Sequence, residues 1–124
     1  MDIIISNSSG KPIYEQITEQ IKSHIITGYL NEGDALPSMR LLAKELHISV
    51  ITTKRAYEDL ERDGFIETVA GKGSFVARKN MALIREEQLK KAESFLQSAV
   101  DAAKSCGISL SELTEMLSLL YNGE

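Results

Sequence analysis

Apolar residues recur at every fourth position near the start of the chain, at Ile13, Ile17, Ile21 and Ile25. This spacing places their side chains on one face of an α-helix. Pro12 suits the N-terminal turn of such a helix, and Gly28 is a typical residue at which a helix stops. The pattern therefore predicts a first helix whose isoleucine face lies in the core.

Two shorter helices separated by a tight turn are predicted next. Ser38 and Ser49 stand where their hydroxyls can cap a helix N-terminus. The first of these helices runs from Met39 to about Leu46, and the second from about Val50 to Asp63. The inward stripe of the second helix is expected to contain Thr53, Ala56, Tyr57 and Leu60. A short helix, a turn and a second helix form the layout of a helix-turn-helix.

The following segment predicts a β-hairpin. The runs "FIETVA" and "SFVA" are rich in β-branched and aromatic residues, and they flank a glycine-rich "GKG" at residues 71–73. A helix-turn-helix followed by a hairpin is a winged helix. We also expect the opening "MDIII" to form a short extra strand at the edge of this domain.

From Asn80 the pattern changes to that of two further helices. The longer one runs from Met81 to Lys104 and ends at Gly107, and the shorter one begins with Ser109 and Glu112 spaced as in a capping box. Their apolar stripes consist of Leu89, Ala92, Leu96, Val100 and Ala103 in the longer helix and of Leu110, Leu113, Leu117 and Leu120 in the shorter one.

These two helices total about 40 residues, which is too few to bury both stripes by packing on each other. We therefore expect them to dimerise, and the alternative is that they dock on the winged helix of the same chain. The chain divides on this basis into a winged helix-turn-helix DNA-binding domain at residues 1–79 and a two-helix dimerisation segment at residues 80–124. The expected fold class is mainly α with a small β-hairpin.

The composition is that of a soluble globular protein, with 43% apolar and 26% charged residues in a chain of 124. No apolar run approaches the ~18 residues of a membrane span, so we expect a cytoplasmic protein without a membrane partner. Cys106 is the one cysteine and is expected to be a small buried residue. His24 and His47 lie far apart and have no further ligands at metal-binding spacing, so no metal and no cofactor are expected.

Charge is sorted along the chain rather than mixed. Because the formal net charge is −4, any contact with nucleic acid must come from local clusters of basic residues. Residues 38–57 carry four basic residues and one acidic residue, and residues 70–79 carry three basic residues and no acidic one. The acidic run from Glu58 to Glu67 lies between these windows and is expected to be a solvated face. The basic windows coincide with the predicted helix-turn-helix and hairpin.

The glycine-rich hairpin tip also has to be tested as a nucleotide site. A P-loop needs G-x-x-x-x-G-K-[ST] between a strand and a helix. Here Gly71, Lys72, Gly73 and Ser74 lie in a predicted hairpin and lack the leading glycine. The tip is therefore a poor candidate for binding a nucleotide, and no nucleophile, base or cofactor fingerprint elsewhere indicates an enzyme.

The motifs in this order resemble the DNA-binding region of the GntR family of bacterial transcription regulators, and its YtrA-like branch in particular. The resemblance is carried by "GKPIYEQITEQIKSHIITGYLNEGDALPSMRLLAKELHIS" and "TTKRAYEDLERDGFIETVAGKGSFVA". It covers about residues 10 to 77, and the short two-helix tail extends it more loosely to the C-terminus. It implies a repressor that binds an inverted-repeat operator in double-stranded DNA as a homodimer, with an ABC transporter operon as a target typical of the branch.

The resemblance also implies roles for residues of the helix-turn-helix. Arg40 corresponds to an arginine that family members use in the major groove, where a guanidinium can bind guanine O6 and N7. Ser49 and Thr52 match positions that contact phosphates. Lys54 stands where relatives often carry a basic residue that contacts bases, and Arg55 adds charge beside it. For Lys54 and Arg55, simple neutralisation of phosphate is the open alternative.

The resemblance makes residues 71–73 the tip of the wing. Gly71 and Gly73 would let the backbone approach DNA closely, with Lys72 in or along the minor groove. The chain departs from better-known relatives at Val50, where some carry a base-reading arginine, and Ile51 adds a second apolar side chain. Because apolar groups can contact a thymine methyl but cannot donate to guanine, we expect an A·T-containing segment under these two residues.

One function of a different class is left open by the residues alone. A winged helix can also serve as a protein-interaction module that does not bind DNA. The outward cations Arg40, Lys54 and Lys72 argue against it, because protein-docking faces favour aromatic and apolar anchors. The sequence identifies neither the operator nor an effector ligand.

Overall fold

The computed structural model describes residues 1–78 and 80–123 and separates into two compact units, Met1–Met81 and a second unit that begins at Ala82. The elements in chain order are the helices α1 (Ile13–Ile26), α2 (Met39–Leu46) and α3 (Val50–Arg62), the strands β1 (Ile66–Val69) and β2 (Gly73–Val76), and the helices α4 (Met81–Cys106) and α5 (Leu110–Tyr121). The five predicted helices and the hairpin are therefore confirmed. Within the described part of the chain, no helix is both long and apolar enough to cross a bilayer.

The core of the first unit forms where α1 and α3 pack together and meet α2 and the hairpin. The predicted isoleucine face of α1 is buried at Ile17, Ile21 and Ile25, and half-buried at Ile13. The predicted inward stripe of α3 is buried throughout, at Thr53, Ala56, Tyr57 and Leu60. Each large apolar side chain buried here contributes about 1.5–3 kcal/mol, so this contact fixes α3 in one rotation about its axis.

Hydroxyl caps define the starts of α2 and α3. The Oγ atoms of Ser38 and Ser49 accept hydrogen bonds from the backbone N–H groups of Leu41 and Thr52, each at 3.1 Å, as predicted. Between the two helices, His47 ends α2 in the left-handed region, with φ of 57°. The turn between α2 and α3 therefore takes only three residues, from His47 to Ser49.

The hairpin pairs β1 and β2 antiparallel, with Ile66 opposite Val76 and Val69 opposite Gly73. On its other side β2 pairs with the loop before α2: the N–H of Leu36 donates to Ser74 O at 2.9 Å. The N–H of Val76 also donates to the loop, at Asp34 O. This loop, and not the N-terminus, occupies the third strand position of the wing.

The opening residues do not form the extra strand that "MDIII" predicts. They run along α1, where glutamine side chains take the place of a neighbouring strand. The amide of Gln20 accepts from the N–H of Ile4 at 2.9 Å and donates to its carbonyl at 2.7 Å. Gln16 does the same with Ser6, at 2.8 and 2.9 Å. Each amide therefore pairs with both the N–H and the C=O of one residue, as a strand partner would.

The spacing of these contacts explains why an extended segment can lie alongside a helix here. Two residues of extended chain span about 6.7 Å, and four residues of α-helix span about 6 Å. His24 continues the series one turn after Gln20, with its Nε2 atom 2.9 Å from Asp2 O. The predicted extra strand is therefore absent, and α1 takes the place of a strand partner.

The second unit contains most of α4 and all of α5. Gly107, with φ of 76°, ends α4, and Ser109 caps α5 by accepting from the N–H of Glu112 at 3.1 Å. Cys106 is exposed, so the expectation of a small buried residue was wrong. Cys106 is the last residue of α4, and no packed element covers this helix end within the described residues.

The predicted apolar stripes of this unit are largely uncovered within the protomer. Ala103 is buried and Val100 and Leu113 are half-buried, whereas Ala92 and the remaining leucines are exposed. The exposed fractions are 53% at Leu89, 50% at Leu96, 79% at Leu110, 51% at Leu117 and 77% at Leu120.

Replacing Gln16 with leucine should destabilise the first unit. Gln16 is 6% exposed, and its side chain bonds both backbone groups of Ser6 and the carbonyl of Lys11. Leucine keeps the volume but leaves these groups without a partner, at a cost of about 1–3 kcal/mol. Urea denaturation monitored by circular dichroism measures the loss.

Gln20→Leu is the matched control, because its bonds to Ile4 are exposed and water can replace them. Gln20→Leu should lower the free energy of unfolding clearly less than Gln16→Leu does. Equal losses for the two variants would show that burial of the Gln16 amide contributes nothing.

Candidate nucleic-acid interface

The outward face of α3 carries the residues predicted to lie there. Opposite the buried stripe, Ile51 is 81% exposed and Val50 44%, and both precede the cations Lys54 and Arg55, which are also exposed. Large apolar side chains at the exposed start of a helix have no role in the fold of this unit. In a recognition helix, the N-terminal residues are the ones that contact the edges of bases.

The start of this face is held by a local hydroxyl pair. Ser49 Oγ and Thr52 Oγ1 lie 2.8 Å apart, and Ser49 Oγ also caps the helix. Ser49 is exposed and Thr52 half-buried. The capping role of Ser49 is thus established by geometry and leaves lone pairs and the nearby amide groups for a further contact.

The two adjacent cations of α3 have different neighbours. Lys54 Nζ lies 3.8 Å from Glu58 Oε1, a pair that is mostly exposed and therefore weak. The guanidinium of Arg55 stacks over the ring of Tyr14 on α1, with Cζ 3.7 Å from the ring centroid. Sequence reasoning missed this contact, because Tyr14 and Arg55 are separated by 41 positions in the chain.

Arg40 lies on the first turn of α2 and is exposed. The segment before it is tied to α3 by Tyr57, whose hydroxyl donates to Pro37 O at 2.7 Å. Burial, assisted by the negative charge of Glu45, raises the pKa of the Tyr57 phenol above its ordinary value of 10. The phenol therefore stays protonated and keeps its donor role, which holds the base of α2 beside α3.

The sequence analysis treated Tyr57 only as a core residue. Its hydroxyl was a signal that could have been used, because a buried tyrosine usually finds a hydrogen-bond partner. The partner itself could not be named, since Pro37 lies in a loop without periodicity.

The wing tip is a tight turn in which the N–H of Lys72 donates to Val69 O at 2.9 Å. Gly71 and Gly73 have φ of 76° and 110°, and a Cβ at either position would meet nothing within 4 Å. Glycine is thus required here by backbone conformation, and the space around the tip is open. The side chain of Lys72 is exposed at this tip.

Ser74, which completes the "GKGS" pattern, does not face the tip. It is buried, and its hydroxyl lies 3.1 Å from Thr68 Oγ1 across the hairpin. A P-loop serine points its hydroxyl at a metal ion bound to phosphate, so this geometry agrees with the interpretation that the tip is no nucleotide site.

Part of the acidic run has a structural role that the sequence analysis did not predict. Asp63 Oδ2 accepts from Lys22 Nζ at 3.1 Å, which joins the end of α3 to α1. Asp59 lies 3.0 Å from a guanidinium nitrogen of Arg62. The expectation of a merely solvated face was therefore wrong for Asp63, because only the fold brings Lys22 beside it.

The residues predicted to contact DNA all lie in the first unit, and nine of the ten are exposed. They lie on α2, at the start and second turn of α3, and at the hairpin tip. Arg78, in the second basic window, is exposed, and Lys79 lies outside the described residues.

Comparison with known proteins decides the family. The family model "Bacterial regulatory proteins, gntR family" matches residues 13–76, which hold the whole helix-turn-helix and hairpin. The chain belongs to the GntR family. It is 34% identical to the HTH-type transcriptional repressor YtrA of Bacillus subtilis, over 93% of this chain and 88% of that protein.

Solved structures agree with this assignment. A transcriptional regulator from Oenococcus oeni is 26% identical, with a TM-score of 0.78 over 94% of this chain and 97% of that one. The structure of AraR(DBD) in complex with operator ORX1 is 28% identical, with a TM-score of 0.55 over 62% of this chain and 96% of that one. These likenesses confirm the predicted winged helix and the class of DNA-binding transcription regulator, which is not an enzyme class.

Tyr57→Phe should loosen the joint between α2 and α3 in this GntR protein. The carbonyl of Pro37 loses its donor, at a cost of about 1 kcal/mol in the free energy of unfolding. Because folding raises the pKa of this phenol, the wild type keeps the contribution of Tyr57 to stability below pH 10 and loses it as the pH rises further. The phenylalanine variant should lack that alkaline loss.

Urea denaturation at several pH values measures both effects. Tyr29→Phe is the matched control, since Tyr29 is 56% exposed and should tolerate loss of its hydroxyl. If the two variants have the same stability and the same alkaline profile, the bond to Pro37 does not hold α2.

Proposed function

We propose that the protein is a homodimeric, cytoplasmic repressor that binds an inverted-repeat operator in double-stranded DNA, with one α3 for each half-site. The observation that carries this proposal is the exposed start of α3, where Val50 and Ile51 project beside Lys54 and Arg55. Repression is supported by similarity to the YtrA repressor, and operator binding by similarity to AraR(DBD) in its operator complex.

Base recognition is assigned to Arg40, Val50 and Ile51. The exposed guanidinium of Arg40 can hold guanine in a bidentate manner, which discriminates by about 1–3 kcal/mol. The exposed Val50 and Ile51 side chains fit thymine methyl groups. The operator half-site therefore combines at least one G·C pair with an A·T-containing segment.

Phosphate contacts are assigned to the groups around this reading face. Ser49 and Thr52 lie at the start of α3, and Lys54 holds only a weak, exposed pair with Glu58 that a phosphate can replace. At the wing, Gly71 and Gly73 let the turn approach the minor groove with Lys72 at its tip. These contacts position the protein on the duplex and supply most of its salt-dependent affinity.

Dimerisation is assigned to the second unit. Five leucines of its apolar stripes are exposed by half or more: Leu89, Leu96, Leu110, Leu117 and Leu120. An apolar surface of this kind on a small helical unit is covered most simply by the same surface of a second copy. An ABC transporter operon, which the YtrA-like resemblance implies, is the target that we propose.

Selection from a pool of random duplex DNA should enrich an inverted repeat whose half-sites lie about 10 base pairs apart, one helical turn. Arg40→Ala should relax the preference for guanine at one position by about 1–3 kcal/mol. Ile51→Ala should instead relax a preference for A·T, because only the methyl contact is lost. Sequencing of the bound pools measures each preference separately.

Arg85→Ala is the matched control for Arg40, because Arg85 is an exposed arginine on α4 and lies outside the first unit. The Arg85→Ala variant should enrich the same DNA motif as the wild type. A wild-type protein that enriches no motif at low salt would contradict the proposed function.

Leu117→Glu combined with Leu120→Glu should convert the dimer into a monomer and lower operator affinity. Both leucines are at least half exposed in the protomer, so the charges should leave its fold intact. Sedimentation equilibrium should then report one chain of 13.7 kDa instead of two. Ser111→Glu places the same charge on the polar side of α5 and should leave the dimer unchanged.

A further inference from the structure

The contact between Arg55 and Tyr14 joins the outward face of α3 to α1. Tyr14 lies in the first turn of α1, half-buried and packed against the core, so its ring is a fixed surface. The Cζ atom of Arg55 lies 3.7 Å from the centroid of that ring, well within the ~6 Å range of a cation–π contact. A flexible, exposed side chain is thus held on a rigid one.

Arg55 has no carboxylate partner among the residues that the structure describes. Its neighbours on α3 do: Lys54 contacts Glu58, and Arg62 contacts Asp59 and Asp63. The ring of Tyr14 covers a face of the guanidinium and leaves the N–H groups at its edge available, since the Arg55 side chain makes no hydrogen bond or ion pair within the described chain.

The position of Arg55 on α3 favours phosphate over a base as its ligand. Arg55 follows Ile51 by four residues, so both lie on the same helix face, one turn apart. The N-terminal turn is the part of a recognition helix that reaches base edges. A residue one turn further on, drawn toward α1, lies nearer the sugar–phosphate wall of the groove. The planar fork of arginine matches a phosphate in a bidentate manner.

We propose that Tyr14 is a positioning residue for DNA binding, whose ring holds the guanidinium of Arg55 in place to bind a backbone phosphate. This inference rests on the proposed function. Fixing a long side chain during binding lowers affinity by about two- to tenfold. The stack orders Arg55 before DNA arrives and so avoids part of that loss. Lys54 makes no cation–π contact with any described aromatic residue and receives no such help.

The test compares full-length variants on two duplexes, the operator obtained by selection and an unrelated sequence of the same length. Arg55→Ala should weaken both and reduce the slope of log affinity against log salt by about 0.9, the value for one phosphate contact. Tyr14→Leu should weaken both duplexes by about two- to tenfold and keep the slope, because the charge of Arg55 remains. In the double variant, Tyr14→Leu should add no further loss.

Tyr14→Phe is the matched control. The Tyr14 hydroxyl makes no hydrogen bond within the described residues, so phenylalanine should keep both the stack and wild-type affinity. In the free protein, the NMR signal of the Arg55 side-chain N–H should show a ring-current shift in the wild type and in Tyr14→Phe, and lose it in Tyr14→Leu.

Five results would overturn the inference. Tyr14→Phe as weak as Tyr14→Leu would mean that the hydroxyl contacts DNA directly. If Tyr14→Leu lowers affinity equally in the Arg55→Ala background, Tyr14 acts through the fold and not through Arg55. If Tyr14→Leu lowers affinity for the operator alone, the contact is with a base and not with a phosphate. Unchanged affinity of Tyr14→Leu would leave the proposed function standing without this inference, whereas a wild type that binds neither duplex would reject both.

Discussion

The packing of α1 against α3 is the contact on which the DNA-facing surface depends. Ile17 and Ile21 on α1 and Leu60 on α3 are completely buried, and this apolar contact sets the rotation of α3. Because side chains of a helix are fixed in direction by that rotation, burying one stripe of α3 determines which residues project from it. The outward face of α3 is therefore a consequence of the core.

Two cation contacts lie at either end of this apolar interface. Arg55 contacts Tyr14, and Lys22 contacts Asp63, so the two contacts are eight residues apart on each helix. Eight residues span about 12 Å of α-helix. The equal spacing means that α1 and α3 run in the same direction side by side. The interface thus resists sliding of α3 as well as rotation, and both motions would displace the outward side chains of α3.

The sequence was sufficient for every element that has a strong period or a cap of its own. Ser38, Ser49 and Ser109 cap the helices that they were predicted to cap, because capping is a local interaction between residues three apart. The partner of the opening segment was not predictable in this way. Its extended conformation follows from local preference, but the glutamines that bind it lie 10 to 16 positions away and depend on the orientation of α1. The prediction that Cys106 is buried was wrong for a similar reason, because burial at a helix end depends on which other elements pack there.

In the candidate site, too, local features were predictable from the sequence and tertiary contacts were not. Which residues of α3 project outward followed from periodicity alone, and their expected roles in binding DNA came from resemblance to the GntR family. What each cation contacts in the folded chain was not accessible, because Tyr14 reaches Arg55 only through tertiary packing.

The contacts of these charged side chains bear on how a protein with a formal net charge of −4 can bind DNA. Asp59 and Asp63 both contact Arg62, and Asp63 also contacts Lys22, so part of the acidic charge after Arg55 is neutralised within the protomer. Among the cations of α3, Arg55 has no carboxylate partner in the described part of the chain, and the ring of Tyr14 orders it without cancelling its charge.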